Sequence, residues 1–222
     1  MNNPIIFIDP DGRKVKPASK AAFNVLLNTI NPESREKVIL GNDGFVQITG
    51  TGEGANFDAL RQLVEDENIT EIVISENFEY LDPNGKKQTG SLGSIDNRSE
   101  IDILFEAYDG AITKEDLKAQ GFSDEQNDNG KLGITLLPGE EKNTEGDGRG
   151  SVNGNIIIII NSGQTDRNKA RTTAHEGYGH ALFFILGKDP NHGQNKSEDN
   201  KELEDQIRRA VNEAATNYDK SN

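Results

Sequence analysis

Two of the three histidines in this 222-residue chain stand five positions apart, with a glutamate directly after the first. They are His175 and His180, and the glutamate is Glu176, in the string His-Glu-Gly-Tyr-Gly-His. Imidazole nitrogens bind divalent metal ions well, and a carboxylate beside such an ion can act as a general base. The string therefore predicts metal-assisted hydrolysis, in which the ion lowers the pKa of its water and Glu176 accepts the proton.

A helix must carry this string if the two imidazoles are to share an ion. Ser162 or Thr165 can cap such a helix, and Gly187 can end it. On a straight α-helix, positions five residues apart point about 140° away from each other, so His175 and His180 would face one ion poorly. A local π-bulge would reduce that angle.

The string also contains two glycines, Gly177 and Gly179. Each costs about 1 kcal/mol relative to alanine in a helix interior. We therefore expect an overwound or underwound helix, or a close neighbour, at these positions. The opposite arc of the helix should face the core, and its members are Ala174, Tyr178, Ala181, Leu182 and Ile185.

A catalytic zinc ion needs a third protein ligand and one open position. The chain has no cysteine, so the ligand must be a histidine or a carboxylate. A stripe of apolar residues predicts a C-terminal helix, and its members are Leu203, Ile207, Ala210, Val211, Ala214 and Tyr218. Glu204 lies about 60° from the centre of that stripe and is the favoured third ligand. His192, in the loop between the two helices, is the alternative.

The motif resembles those of known metallopeptidases. It is one residue longer than the zincin motif H-E-x-x-H. The pattern H-E-x-x-x-H resembles the metal-binding helix of TldD-type peptidases and of several toxin-borne metallopeptidases, and His-Glu-Gly-Tyr-Gly-His-Ala is similar to the latter group. A glutamate ligand on a second helix is also the gluzincin arrangement. The resemblance implies a zinc-dependent peptidase that acts on a protein or peptide, with Zn²⁺ held by His175, His180 and Glu204.

A second resemblance lies at the start of the chain. The string Asn-Asn-Pro-Ile-Ile-Phe-Ile-Asp-Pro-Asp-Gly-Arg, at positions 2–13, resembles the end of the RHS (YD-repeat) associated core of bacterial polymorphic toxins. In those proteins the core carries a variable C-terminal toxin. The resemblance implies that the remaining chain is a toxin or effector cassette. It would be delivered to a target cell as part of a larger secreted protein, and an immunity protein would neutralise it.

The expected fold class is α+β and zincin-like, with a mixed or mostly antiparallel sheet, an active-site helix and a C-terminal ligand helix. Five consecutive isoleucines at 156–160 predict a strand that is buried on both faces. Other predicted elements are a helix after Ser19, a hairpin over 38–48, a helix around 57–64, strands over 71–75 and 132–137, and a short helix after Thr113.

The chain divides into four predicted regions. Residues 1–14 form the RHS-core-like tail, and residues 15–121 form an α+β part that could be an accessory lobe. Residues 122–154 are rich in Gly, Asp, Glu and Asn, which predicts a flexible hairpin or loop insert. Residues 155–222 form the metal-binding peptidase core.

Composition narrows the class of function. Against 24 Lys and Arg stand 38 Asp and Glu, a net charge of −14 that argues against nucleic-acid and anionic-membrane partners. No apolar run approaches the ~20 residues of a membrane span, and the start of the chain does not have the layout of a signal peptide. Two alternatives to the peptidase stay open: an inactive zincin-like binding module, and a metallo-hydrolase for a non-peptide bond.

Overall fold

The computed structural model describes residues 14–95, 101, 105, 112–121, 130–142, 148–192 and 198–221. The RHS-core-like string at 2–13 and much of the predicted insert at 122–154 lie outside these residues. The described strands are β1 Val15–Pro17, β2 Val38–Leu40, β3 Val46–Ile48, β4 Thr70–Ile74, β5 Asn77–Leu81, β6 Lys87–Ser91, β7 Gly133–Leu136 and β8 Ile156–Ile160.

The described α-helices are α1 Lys20–Asn28, α2 Ala55–Glu65, α3 Lys114–Ala119, α4 Asp166–His175, α5 Leu182–Ile185 and α6 Glu198–Asp219. A π-helical segment, Glu176–Ala181, joins α4 to α5. We call this continuous unit, residues 166–185, the motif helix. Short 3-10 turns cover Pro32–Lys37 and Glu140–Lys142. Within the described residues, no helix is both long enough and apolar enough to cross a membrane.

The main sheet has the strand order β1-β4-β8-β7. β1, β4 and β8 run parallel, whereas β7 pairs antiparallel with β8. The chain is therefore α+β with a mixed sheet, as predicted. β1 pairs with β4, and β4 pairs with β8. Strands from the 15–121 region and from the 155–222 region therefore belong to one sheet.

The isoleucine strand β8 lies inside this sheet, and both of its faces are buried, as predicted. Ile156, Ile158 and Ile160 belong to the main core, while Ile157 and Ile159 pack with a second apolar cluster. Helices cover the first face, and the β5–β6 hairpin covers the second with Phe78. Successive side chains of a strand point to opposite faces, so a strand that is buried on both faces needs an apolar residue at every position.

Most of the elements predicted along the N-terminal half are confirmed. Ser19 caps α1, and its side chain accepts a hydrogen bond from the Ala22 N–H. The 38–48 hairpin is β2 and β3, and the second predicted helix is α2. Thr113 caps α3 as expected. The prediction missed β1 and the β5–β6 hairpin, whose strand β6 is Lys-Gln-Thr-Gly-Ser and offers almost no apolar signal.

A buried polar network joins α1, α2, the motif helix and α6. The side-chain amide of Asn56 donates to the carbonyls of Thr29 and Ala210, both at 2.9 Å. Asn217 in α6 donates to the same Thr29 carbonyl at 3.1 Å. The hydroxyls of Thr29 and Tyr178 are hydrogen-bonded at 2.7 Å. Since buried polar groups are costly without partners, this network fixes how the four helices meet.

We expect Asn56→Ala to lower the free energy of unfolding by about 2 kcal/mol, because it removes two buried hydrogen bonds that link three helices. Urea denaturation of the purified protein measures this loss. The matched control is Asn84→Ala, in the exposed turn between β5 and β6, which should stay within about 0.5 kcal/mol of the wild type. Equal losses in both variants would contradict a stabilising role for the network.

Candidate metal centre

The motif helix changes its hydrogen-bond register at the histidines. α4 ends at His175, and in the π-helical segment that follows, the N–H of Leu182 donates to the carbonyl of Gly177, five residues earlier. A π turn is wider than an α turn, so side chains five positions apart come to lie near one face. The π distortion that the spacing of His175 and His180 called for is therefore present.

The two glycines of this segment have different surroundings. A Cβ added at Gly179 would lie 2.4 Å from Cγ1 of Ile207 in α6, far inside van der Waals contact. A Cβ added at Gly177 would lie 3.5 Å from Cδ1 of Ile158 in β8, which is an ordinary contact. Gly179 is thus the position where a close neighbour excludes a side chain, one of the two reasons that the sequence suggested.

The opposite arc of the motif helix faces the core, as predicted. Its buried members are Ala174, Tyr178, Ala181 and Leu182, and Ile185 packs against the same core while partly buried. Burial of the phenol raises the pKa of Tyr178, and the hydrogen bond between its hydroxyl and that of Thr29 opposes that shift. Tyr178 is therefore a buried structural residue.

Three imidazole nitrogens converge on the other face. His175 Nε2 lies 3.2 Å from Nε2 of His180 and 3.5 Å from Nε2 of His192. One ligand atom from each of the three residues lies within 4.8 Å of the other two. Two imidazoles on one tetrahedral zinc ion have nitrogens about 3.3 Å apart, given a Zn–N distance of about 2.05 Å. The donor set and its spacing therefore fit zinc.

The loop after the motif helix brings His192 to the other two histidines. Gly187 ends the helix with a φ of +67°, so the chain turns back along it. The Pro190 carbonyl then accepts a hydrogen bond from Nδ1 of His180. Because a carbonyl can only accept, the proton of His180 resides on Nδ1 and the lone pair of Nε2 points into the group.

Burial keeps these imidazoles in the form that binds metal. It lowers the pKa of His175 to about 4, with a smaller contribution from the charges of His180 and His192. Burial also lowers the pKa of His180 and of His192. All three are therefore neutral near pH 7, and neutral imidazole is the metal ligand.

Glu204, the favoured third ligand from the sequence, is not brought into this group. Its side chain is exposed on α6 rather than leaning inward. The grouped residues are His175, His180 and His192. Glu204 acts on the site through its charge alone, which opposes the lowering of the pKa of His192. The structure thus groups His192, the alternative third ligand predicted from the sequence, with His175 and His180.

Glu176 is buried beside the histidines, with only 7% of its surface exposed. Burial raises its pKa to about 7, although a hydrogen bond from Thr135 and the charge of His192 oppose the shift. The Thr135 hydroxyl donates to Glu176 Oε2 at 2.7 Å. Sequence reasoning missed Thr135, because the apolar pattern of β7 predicts a strand without showing which helix residue its hydroxyl meets.

Two cavities meet at this carboxylate. The first has a volume of about 300 Å³ and is lined by all three histidines. The second has a volume of about 460 Å³ and extends towards Arg171 and Val211. Gly133 of β7, His175 and Glu176 line both. The two cavities therefore flank the candidate site along the edge strand of the sheet, and we refer to them together as the cleft.

The chain matches no protein-family model, no curated protein and no solved structure. The class of site is therefore defined by its geometry: a three-histidine group that can hold a metal ion, with a buried carboxylate next to it.

The two glycines of the π-helical segment provide a matched pair of variants. Gly179→Ala should lower the free energy of unfolding by about 1–3 kcal/mol, because its methyl group overlaps Ile207. Gly177→Ala has room for its methyl group and gains helix propensity, so its stability should equal or exceed that of the wild type. Urea denaturation measures both variants. An equal effect of the two substitutions would contradict the close approach of α6.

Proposed function

We propose that the chain is a zinc-dependent metallopeptidase in which His175, His180 and His192 hold Zn²⁺ and Glu176 is the general base. The observation that carries this proposal is the convergence of three imidazole nitrogens beside a buried carboxylate. Bound there, Zn²⁺ would supply Lewis-acid activation of water and of a peptide carbonyl. The role of Glu176 is unchanged from the sequence hypothesis, while His192 replaces Glu204 as the proposed third ligand.

In this proposal, the side chain of Glu176 accepts a proton and later donates it. Oε2 of Glu176 accepts the hydrogen bond from Thr135, so Oε1 is the oxygen available to take a proton from the attacking water. A carboxyl with a pKa of about 7 can then return that proton to the leaving amine nitrogen. Thr135 orients the carboxylate and is a positioning residue.

The cleft supports a peptide as the substrate. Among the described strands, β7 pairs only with β8, so its outer edge can form backbone hydrogen bonds with an extended chain. Both cavities border Gly133 of this strand. A peptide lying along β7 would pass next to Glu176 and the histidine group.

The mixed sheet with the motif helix and α6 supports a zincin-like arrangement. The RHS-core-like string at 2–13 and the toxin-type motif support a wider proposal, that this peptidase is the effector cassette of a polymorphic toxin. Its host protein would be secreted into a target cell, and an immunity protein would be its natural inhibitor.

The ligand set can be tested by metal analysis. We expect the wild type to retain about one zinc ion per chain after dialysis, and His175→Ala, His180→Ala and His192→Ala each to lose most of it, because each removes one of three ligands. Glu204→Ala should retain the metal, since its side chain is exposed. Elemental analysis provides the measurement.

Two results would overturn this assignment. Loss of zinc in Glu204→Ala with retention in His192→Ala would make Glu204 the third ligand. A wild type that neither retains zinc nor gains melting temperature in its presence would remove the metal site altogether.

Catalysis is tested separately from metal binding. Glu176→Gln should keep its zinc and lower the rate of cleavage of an unfolded protein by at least about 100-fold, because an amide cannot accept the proton. Glu115→Gln, the same chemical change on exposed α3, should cleave at the wild-type rate. Zinc binding without cleavage by the wild type would instead favour the inactive binding module, and cleavage of only non-peptide esters would favour the other hydrolase.

A further inference from the structure

The larger cavity of the cleft has cationic walls. Lys131, just before β7, and Arg171, in α4, line it, and Glu176 is the one acidic side chain among its described lining residues. Arg171 lies four residues before His175, so it stands one helical turn along the same face, about 6 Å from it. We call this the cationic cavity. This local excess of positive charge contrasts with the net charge of −14 of the whole chain.

Neither cation is neutralised within the described part of the chain. No acidic side chain there forms an ion pair with Lys131 or Arg171. Within the described residues, the guanidinium of Arg171 donates to the amide oxygen of Asn168 at 3.5 Å, a contact that leaves its charge in place. A guanidinium at a cavity wall that no described acidic side chain pairs with presents a fork of donors that suits a carboxylate.

The walls of the cationic cavity are held in place by buried hydrogen bonds. The carbonyl of Leu132 accepts from the side chain of Gln164 at 2.6 Å, and Gln164 in turn accepts from the hydroxyl of Thr172 at 2.7 Å. The carbonyl of Lys131 accepts from Asn161 at 3.1 Å. These bonds tie the backbone of the segment that carries Lys131 to the helix that carries Arg171, so both residues border the same cavity.

The smaller cavity on the other side of Glu176 has the opposite character. Its described lining residues include Glu140 and the three histidines, and among them there is neither lysine nor arginine. Charge therefore distinguishes the two ends of the cleft. A bound peptide that carries a negative group would therefore favour the orientation that places this group in the cationic cavity.

We propose that the cationic cavity binds a carboxylate of the substrate, so that the enzyme prefers peptides with a negative group on one fixed side of the cleaved bond. This rests on the proposed peptidase function. The carboxylate can come from an Asp or Glu side chain or from the C-terminus of the substrate. Leu132 and Val211 supply apolar surface for the methylene groups of such a residue.

The test uses a random-sequence decapeptide library, made once with free and once with amidated C-termini, and the zinc-loaded full chain. Products are sequenced by mass spectrometry. We expect Asp and Glu to be enriched at one fixed position from the cleaved bond in both libraries if a side chain is bound. Cleavage at a fixed distance from the end, in the free-acid library only, would identify the C-terminal carboxylate.

The assignment to the two cations is tested with variants. Arg171→Glu and Lys131→Glu should lower kcat/KM for a preferred acidic peptide by about 10- to 100-fold and shift the preference towards Lys and Arg. Arg171→Gln and Lys131→Gln should lose the acidic preference without acquiring a basic one. The matched control Lys20→Glu, on the exposed side of α1, should keep the wild-type preference. Zinc content shows that each variant retains its site.

The possible failures are distinguishable. Cleavage with no preference for carboxylates, or a preference that survives in Arg171→Glu and Lys131→Glu, overturns the assignment of the cationic cavity and leaves the peptidase proposal standing. If the zinc-loaded wild type cleaves no peptide of either library, the peptidase proposal fails, and this inference fails with it.

Discussion

The π-helical segment Glu176–Ala181 begins directly after His175 and contains His180, and the nitrogens of the two imidazoles lie 3.2 Å apart. A π turn is rarely stable by itself and persists where its surroundings determine it. Here the hydroxyl of Tyr178, within the turn, is bonded to Thr29, and Ile207 of α6 occupies the space where Gly179 has no side chain. The core thus holds the helix in a π register in which Nε2 of His175 and Nε2 of His180 lie close together.

The packing that holds the π turn also determines the electrostatics of the site. Because the motif helix is enclosed by the sheet and α6, its ligand face lies in a partly desolvated cleft. Desolvation penalises charge, so it lowers the pKa of His175 and raises the pKa of Glu176 towards neutrality. Both shifts suit a site that binds a cation through neutral imidazoles and moves a proton at a carboxylate. A bound cation would in turn stabilise the ionised form of Glu176.

Sequence reasoning found the features that local chemistry determines. The isoleucine strand, the Ser19 cap and the helix end at Gly187 all follow from patterns within a few residues, and Thr165, one of the two caps that the sequence offered, caps α4. It favoured Glu204 over His192, whereas the structure groups His192 with the other two histidines, because the loop after the motif helix folds back on it. It could not find the β5–β6 hairpin, since β6 is polar and is stabilised by pairing and by the contacts of Phe78 on the neighbouring strand. Thr135 was missed for the same reason: its importance comes from the contact between a strand and a helix that lie 41 residues apart in sequence.

The three proposed ligands differ in how firmly the rest of the protein holds them. His175 and His180 extend from a helix whose opposite side is buried in the main core, so their positions are determined before any ion binds. His192 is exposed and belongs to a loop fixed by local bonds, namely the Pro190 carbonyl to His180 and the Asp189 side chain to the Asn191 N–H at 2.9 Å. The first two histidines are thus held by packing within the core, whereas His192 is held by hydrogen bonds within its loop and to the motif helix. The core therefore determines the positions of His175 and His180, and the loop adds His192 to the group of proposed ligands.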